Sequence, residues 1–276
     1  MIIQDNRLPK TGAKPVIVIT GASAGLGRAL AIEAGYIGRV AILARREEEL
    51  KKLQAEILSN AGEAISLQTD VRDAASVKNA IHQVVSLWNR IDILFNNAAV
   101  VEPVTPLIKS SDDDLFSALL TNVFGVYITT RECLKQMLTQ KEGGTIINIT
   151  SGAADRPYVG WSAYGSTKAA VNSFTKIVAL EMENKPIRVA ALSPGPFESK
   201  MQKILRDSKF SDFPKREKFI NLQKTGKLPS ANDLAKIFLD ISLSDWPGLS
   251  GMVEDIRSQL FRRECYEQGI NFPTNI

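Results

Sequence analysis

Pro15-Val16-Ile17-Val18-Ile19-Thr20-Gly21-Ala22-Ser23-Ala24-Gly25-Leu26-Gly27 carries the reading of the fold. The β-branched run over 15–20 predicts a buried strand. The chain breaks at Gly21, and a helix is predicted over 25–35. Glycines between a strand and a helix let the chain turn tightly and let backbone N–H groups approach a pyrophosphate. The helix N-terminus adds a favourable dipole. Three residues separate the first two glycines, unlike the common dinucleotide fingerprint, and an ordinary tight turn is the alternative. The strand–loop–helix setting at a first βα junction favours the phosphate loop. Gly21, Ser23, Gly25, Leu26 and Gly27 are its candidate cofactor contacts.

Outward from this stretch the same rhythm repeats. Strands are predicted over 40–43, 64–68, 91–95, 145–149 and 187–192, and helices over 47–60, 73–88, 115–137 and 162–182. Such alternation predicts right-handed βαβ units, hence an α/β, doubly wound parallel sheet of the Rossmann type in a single domain. Ligands of such sheets bind outside the carboxyl ends of the strands. The rhythm breaks after Ser193. Residues 194–229 carry four prolines and short amphipathic pieces, which predicts a helical substrate-loop insert acting as a lid. A helix over 232–243 and a last strand over 249–253 follow. Residues 1–14 read as an N-terminal extension, 15–256 as the catalytic domain and 257–276 as a tail without pattern.

Composition narrows the function. The 276 residues are 44% hydrophobic and 23% charged, an ordinary globular balance. One histidine, His82, and two cysteines, Cys133 and Cys265, exclude a multi-histidine site and argue against a zinc cluster or disulfide framework. No metal is expected; Asp112-Asp113-Asp114 suits the dipole of a helix start. A net charge of +4 is too small to argue for nucleic acid. No apolar run is long enough to span a bilayer, and the polar start lacks a signal-peptide core. A cytoplasmic protein with no membrane partner is the expectation.

Three further positions carry chemistry. The second strand ends at Ala44-Arg45-Arg46, where an NAD site places a carboxylate; two guanidiniums suit a 2′-phosphate and predict NADP(H). Pairing with Glu47, Glu48 and Glu49 is the alternative. Asp70, with Val71 beside it, ends the third strand and is a candidate for adenine, or else a helix cap before Asp73. Tyr164 and Lys168 lie four apart, hence on one helix face. An ammonium beside a phenol lowers the tyrosine pKa from about 10, giving a proton donor usable near neutral pH. Ser151 follows the fifth strand, where its hydroxyl can hold a carbonyl. Asn122 falls inside a predicted helix it does not favour, either for function or as a solvent-facing residue.

Together these residues resemble the short-chain dehydrogenase/reductase family over nearly all of residues 14–253. The glycine loop is complete, and Asn96-Asn97-Ala98 follows the fourth strand as in the family. Ala99 departs from it, standing where a glycine is usual. Asn122, Ser151, Tyr164 and Lys168 occupy the four catalytic positions. The resemblance implies that Tyr164 gives the proton, Lys168 tunes it and holds the nicotinamide ribose, Ser151 orients the carbonyl, and Asn122 holds a water linking Lys168 to solvent. It also implies cofactor contacts at Asn97, Pro194, Gly195, Phe197 and Ser199, and a homodimer, with a tetramer as the larger alternative.

The stretches 156–161, 194–202 and 222–228 resemble the sepiapterin reductases and the benzil (diketone) reductases. Lys200 stands where sepiapterin reductases usually carry the aspartate that anchors the pterin, so a small ketone or α-diketone is the expected substrate. Tyr158, Trp161, Phe197, Met201 and Gln202 are the candidate substrate contacts, with core packing as the plainer role. The implied activity is an NADPH-dependent carbonyl reductase. The alternatives are an NAD-dependent secondary-alcohol dehydrogenase and a catalytically silent dinucleotide-binding regulator. Finally, residues 200–227 hold nine basic residues against three acidic ones. This surplus either steers an anionic ligand or is a solvated face.

Overall fold

The computed structural model describes residues 14–226 and 228–273. Most of the expected N-terminal extension, and Lys227 of the lid, lie outside the described residues. The chain runs β1 (Val16–Thr20), α1 (Gly25–Gly35), β2 (Arg39–Ala44), α2 (Glu47–Ser59), β3 (Glu63–Gln68), α3 (Ala74–Trp88) and β4 (Ile93–Asn96). Then come α4 (Asp112–Leu119), α5 (Gly125–Met137), β5 (Gly144–Ile149), α6 (Ser162–Glu181) and β6 (Ile187–Ser193). The lid holds α7 (Lys200–Asp207) and α8 (Arg216–Lys224), and α9 (Ala231–Leu243), β7 (Val253–Asp255) and α10 (Gln259–Glu267) complete the chain.

Among the described residues the strands form one seven-stranded sheet in the order β3-β2-β1-β4-β5-β6-β7. Every pairing is parallel. The order reverses beside β1, so the chain switches sheet direction next to the glycine loop.

The period-two alternation of strands divides the core. Ile17 and Ile19 of β1 face a cluster with Leu30 of α1, Leu53 of α2 and Phe238 of α9. Val16 and Val18 point the other way, to Val77 of α3, Met137 of α5 and Val178 of α6. Burying each such side chain contributes about 1.5–3 kcal/mol, which fixes the register of β1 on both faces. A third, smaller cluster joins Trp161 and Tyr164 to Leu205, Phe213 and Phe219 of the lid.

Three elements differ from the sequence expectation. The helix predicted over 115–137 begins at Asp112, because Ser111 caps it by accepting from the Asp114 N–H at 3.1 Å. It is then interrupted by a π turn at Leu120–Phe124. The last strand lies at Val253–Asp255 rather than over 249–253, because residues up to Leu249 form a 3-10 turn and Gly251 takes a positive φ of 85°. The patternless tail folds as α10, whose Phe261 and Cys265 are buried in the first cluster. Among the described residues no helix is long and apolar enough to cross a membrane.

Candidate active site

A cleft of about 530 Å³ opens along the carboxyl edge of the sheet. Each strand delivers a residue to it: Gly21 after β1, Arg45 after β2, Asp70 after β3, Asn97 after β4, Ser151 after β5, Gly195 after β6 and Arg257 after β7. Parallel strands aim all their carboxyl ends one way, so residues far apart in sequence converge.

The glycine loop forms one end. Gly21 and Gly25 take positive φ values of 66° and 55°. A Cβ on Gly21 would stand 2.8 Å from Ala98 Cα, and one on Gly27 would stand 2.5 Å from the Gly21 carbonyl oxygen. Gly27 therefore lies behind the cleft wall and supports it from within. A Cβ on Gly25, by contrast, meets nothing within 4 Å. Asn97 fixes the loop, its Nδ2 donating to the carbonyl oxygens of Thr20 (3.0 Å) and Gly21 (3.3 Å). The N-cap of α1 is Ala24, which has no capping side chain, and no acid stands in the first turn. The free N–H groups and the open space at Gly25 fit a diphosphate.

Arg46 donates to the Ser23 hydroxyl at 2.8 Å, tying the end of β2 to the loop. Arg45 lines the cleft and acts on Asp70 through its charge. Asp70 is not the cap of α3, which is Asp73. Its carboxylate accepts from Arg72 Nε and Nη2, at 3.0 and 2.6 Å, and that pair holds it below the usual carboxylate range. Val71 and Leu26 complete this wall.

At the other end Tyr164 and Lys168 are both buried. The Lys168 ammonium donates to the Ile149 carbonyl oxygen at 2.7 Å and lies 5.9 Å from the Tyr164 ring centroid. This corrects the expected tuning. Burial pushes the Tyr164 phenol up, and its hydrogen bond with Ser151 is what pulls it back. The ammonium sits over the ring face, and burial draws it down to about 8.

The consequence for pH has a definite sign. Below about pH 8 Lys168 is held charged in a dry site, and above it the charge is lost. A fall in kcat/KM is therefore expected as pH rises through about 8 for any reaction that uses the Lys168 charge. In Lys168→Arg the decline should leave the accessible range. A flat wild-type profile between pH 7 and 9 would refute a charged Lys168 in the rate step.

Asn122 is fully buried in the π turn, not solvent-facing. Its Oδ1 accepts from Val100 N and its Nδ2 donates to Val100 O, both at 2.8 Å, and Nδ2 also donates to Thr167 Oγ1 at 3.1 Å. It clamps the strand-β4 loop to α6 from behind the cleft. Ser199 lines the cleft but uses its hydroxyl to cap α7, accepting from Gln202 N.

Pro194, Gly195 and Phe197 line the cleft, as do Tyr158, Trp161, Met201 and Gln202 on its aromatic side. Trp161 stacks obliquely between Tyr158, Tyr164, Phe213 and Phe219 at centroid distances of 5.0–5.7 Å. Sequence reasoning missed Lys218, which donates to the Tyr158 hydroxyl at 3.0 Å, and Arg257, whose guanidinium covers Gly195 and is gripped by Asp255. Arg257 had a usable signal: it follows the carboxyl end of β7. Lys218 had only its place in the basic lid.

A family model described as short chain dehydrogenase matches residues 15–209. A benzil reductase ((S)-benzoin forming) of Bacillus cereus is 34% identical over 228 residues, covering 80% of this chain and 90% of its own. An NADP-dependent 3-hydroxy acid dehydrogenase, YdfG, of Escherichia coli (strain K12) is 34% identical over 183 residues, covering 65% of this chain and 71% of its own. The crystal structure of the KRED1-Pglu enzyme superposes with a TM-score of 0.80 at 30% identity, covering 87% of this chain and 100% of that one. The chain belongs to the short-chain dehydrogenase/reductase family of nicotinamide-dependent oxidoreductases.

Proposed function

We propose that the protein is an NADPH-dependent carbonyl reductase for small ketones and α-diketones, with Tyr164 as the proton donor. The observation that carries this reading is the Ser151–Tyr164–Lys168 group, its phenol and ammonium buried, at the end of a cleft that begins in the glycine loop. The nicotinamide, when bound, supplies the hydride. Ser151 holds the carbonyl oxygen beside the phenol, and the phenol hydroxyl delivers its proton to that oxygen. Burial favours this direction of reaction, since a raised phenol remains protonated and ready to donate. Lys168 keeps a positive charge beside the developing phenolate. The aromatic wall formed by Tyr158 and Trp161 suits a flat, apolar substrate, and Lys200 on the cleft disfavours a basic pterin ring. The benzil reductase relative supports the diketone, and the NADP-dependent relative supports the cofactor.

Cofactor choice rests on Arg45 and Arg46, with Asp70 already neutralised by Arg72. A charge-assisted contact to a phosphate is worth about 1.5–3 kcal/mol. Replacing Arg45 and Arg46 together by alanine is thus expected to weaken NADPH at least tenfold and to leave NADH nearly unaffected. The test is consumption of NADPH and NADH with benzil, sepiapterin and a simple ketone. Equal use of both cofactors by the unaltered protein would remove the case for the arginines. Absence of turnover on all three carbonyls would overturn the enzyme assignment, and rapid sepiapterin reduction would overturn the weight given to Lys200.

A further inference from the structure

Three buried side-chain polar atoms of the described residues lack a hydrogen-bond partner, two of them on residues that line the cleft. They are Trp161 Nε1, Gln202 Oε1 and Arg216 Nε. Arg216 Nε lies 3.5 Å from the Glu217 carboxylate, which answers its charge. The other two belong to residues that line the cleft, at 7% and 8% exposure. A buried donor left without an acceptor destabilises a fold, so native structures keep such groups where something else meets them. The Gln202 amide can turn to present either end. The indole N–H is a donor in every orientation and therefore states what it needs, an acceptor.

Its position gives that need a meaning. Trp161 caps α6 and stands one turn before Tyr164, with ring centroids 5.2 Å apart. Its surroundings are the rings of Tyr158, Phe213 and Phe219, whose faces are weak acceptors at best. The one hydroxyl among them, on Tyr158, accepts from Lys218. Trp161 lines the same cleft as Ser151, with its ring beside that of Tyr164. We propose that Trp161 Nε1 donates to an oxygen on the carbon next to the reacting carbonyl, so that Trp161 selects 1,2-dicarbonyl compounds over monoketones. This specificity role rests on the carbonyl-reductase reading and narrows it to a substrate class.

The test compares 1-phenyl-1,2-propanedione with propiophenone, which has the same skeleton and one oxygen fewer. Both are assayed with NADPH on the full chain and on Trp161→Phe, which keeps a ring and loses the donor. The ratio of kcat/KM for dione over ketone is expected to fall about tenfold, the scale of one hydrogen bond. A general loss of packing would lower both substrates and leave the ratio unchanged, and that result overturns the assignment. A second measurement needs no folded variant at position 161. In ¹⁵N-indole spectra of the unaltered protein with oxidised cofactor, the dione should move the Trp161 N–H proton downfield and propiophenone should not. Trp88→Phe and Trp246→Phe identify the signal by elimination. An indole proton indifferent to the dione refutes the proposal. If the unaltered protein reduces neither compound, the carbonyl-reductase reading fails; if it reduces both and the ratio holds, only the role of Trp161 fails.

Discussion

Replacing Tyr164 with phenylalanine is expected to lower kcat for carbonyl reduction about a thousandfold, the middle of the range for a positioned proton donor. The substitution removes one oxygen from a buried ring. The ring itself packs on Trp161 and is retained. The Ser151 hydroxyl keeps its contact with the Ala153 N–H, at 3.2 Å. The fold therefore loses roughly one hydrogen bond, about 1 kcal/mol, while the proposed reaction loses its acid. Neither neighbour can replace it: Lys168 is committed to the Ile149 carbonyl and Ser151 is a far weaker acid. The comparison is single-turnover reduction by the two proteins at saturating cofactor, alongside their melting curves. A loss of less than tenfold in a well-folded variant would mean that the proton comes from elsewhere.

The second large effect separates two glycines that look alike in sequence. Gly21→Ala is expected to destabilise the protein by several kcal/mol. Its φ of 66° disfavours an L side chain by about 1–2 kcal/mol, and its Cβ would strike the backbone of Ala98 at 2.8 Å. Overpacking against backbone adds about 1–3 kcal/mol. Gly25→Ala shares the backbone term, at φ 55°, but its Cβ enters open space. Its stability cost should thus stay near 1 kcal/mol, while its methyl group stands where the loop faces the cleft. NADPH affinity is expected to fall at least a hundredfold. Calorimetric melting and cofactor titration of both variants check the contrast. Gly25→Ala binding NADPH as tightly as the unaltered protein would show that the diphosphate lies elsewhere.

The fold was legible because its signals are local and periodic. Val16 to Thr20 must be a strand buried on both faces, and a glycine loop followed by a helix admits few continuations. Arg45 and Arg46 were readable as residues at the end of β2, and the structure places both on the cleft wall. Other features escaped because they depend on contacts across the chain. Asn122 looks like a poor helix residue; its amide pairing with Val100 needs the loop after β4 to fold against it. The origin of the Tyr164 shift was misread because helical spacing gives the nearness of Lys168, whereas burial depends on the lid and on Trp161. Arg257 was lost because the turn at Gly251 displaces β7 from its expected place, hiding that the residue follows a strand end.

The lid rests on its own small aromatic cluster, apart from the two cores that clamp the sheet. Side chains of α7 and α8 can therefore be exchanged over generations without unsettling either large core, provided Trp161 and Tyr164 keep a neighbour. The matched family model runs out at residue 209, between these two helices. The shape of the cleft's aromatic side is uncoupled from the packing that holds the sheet together.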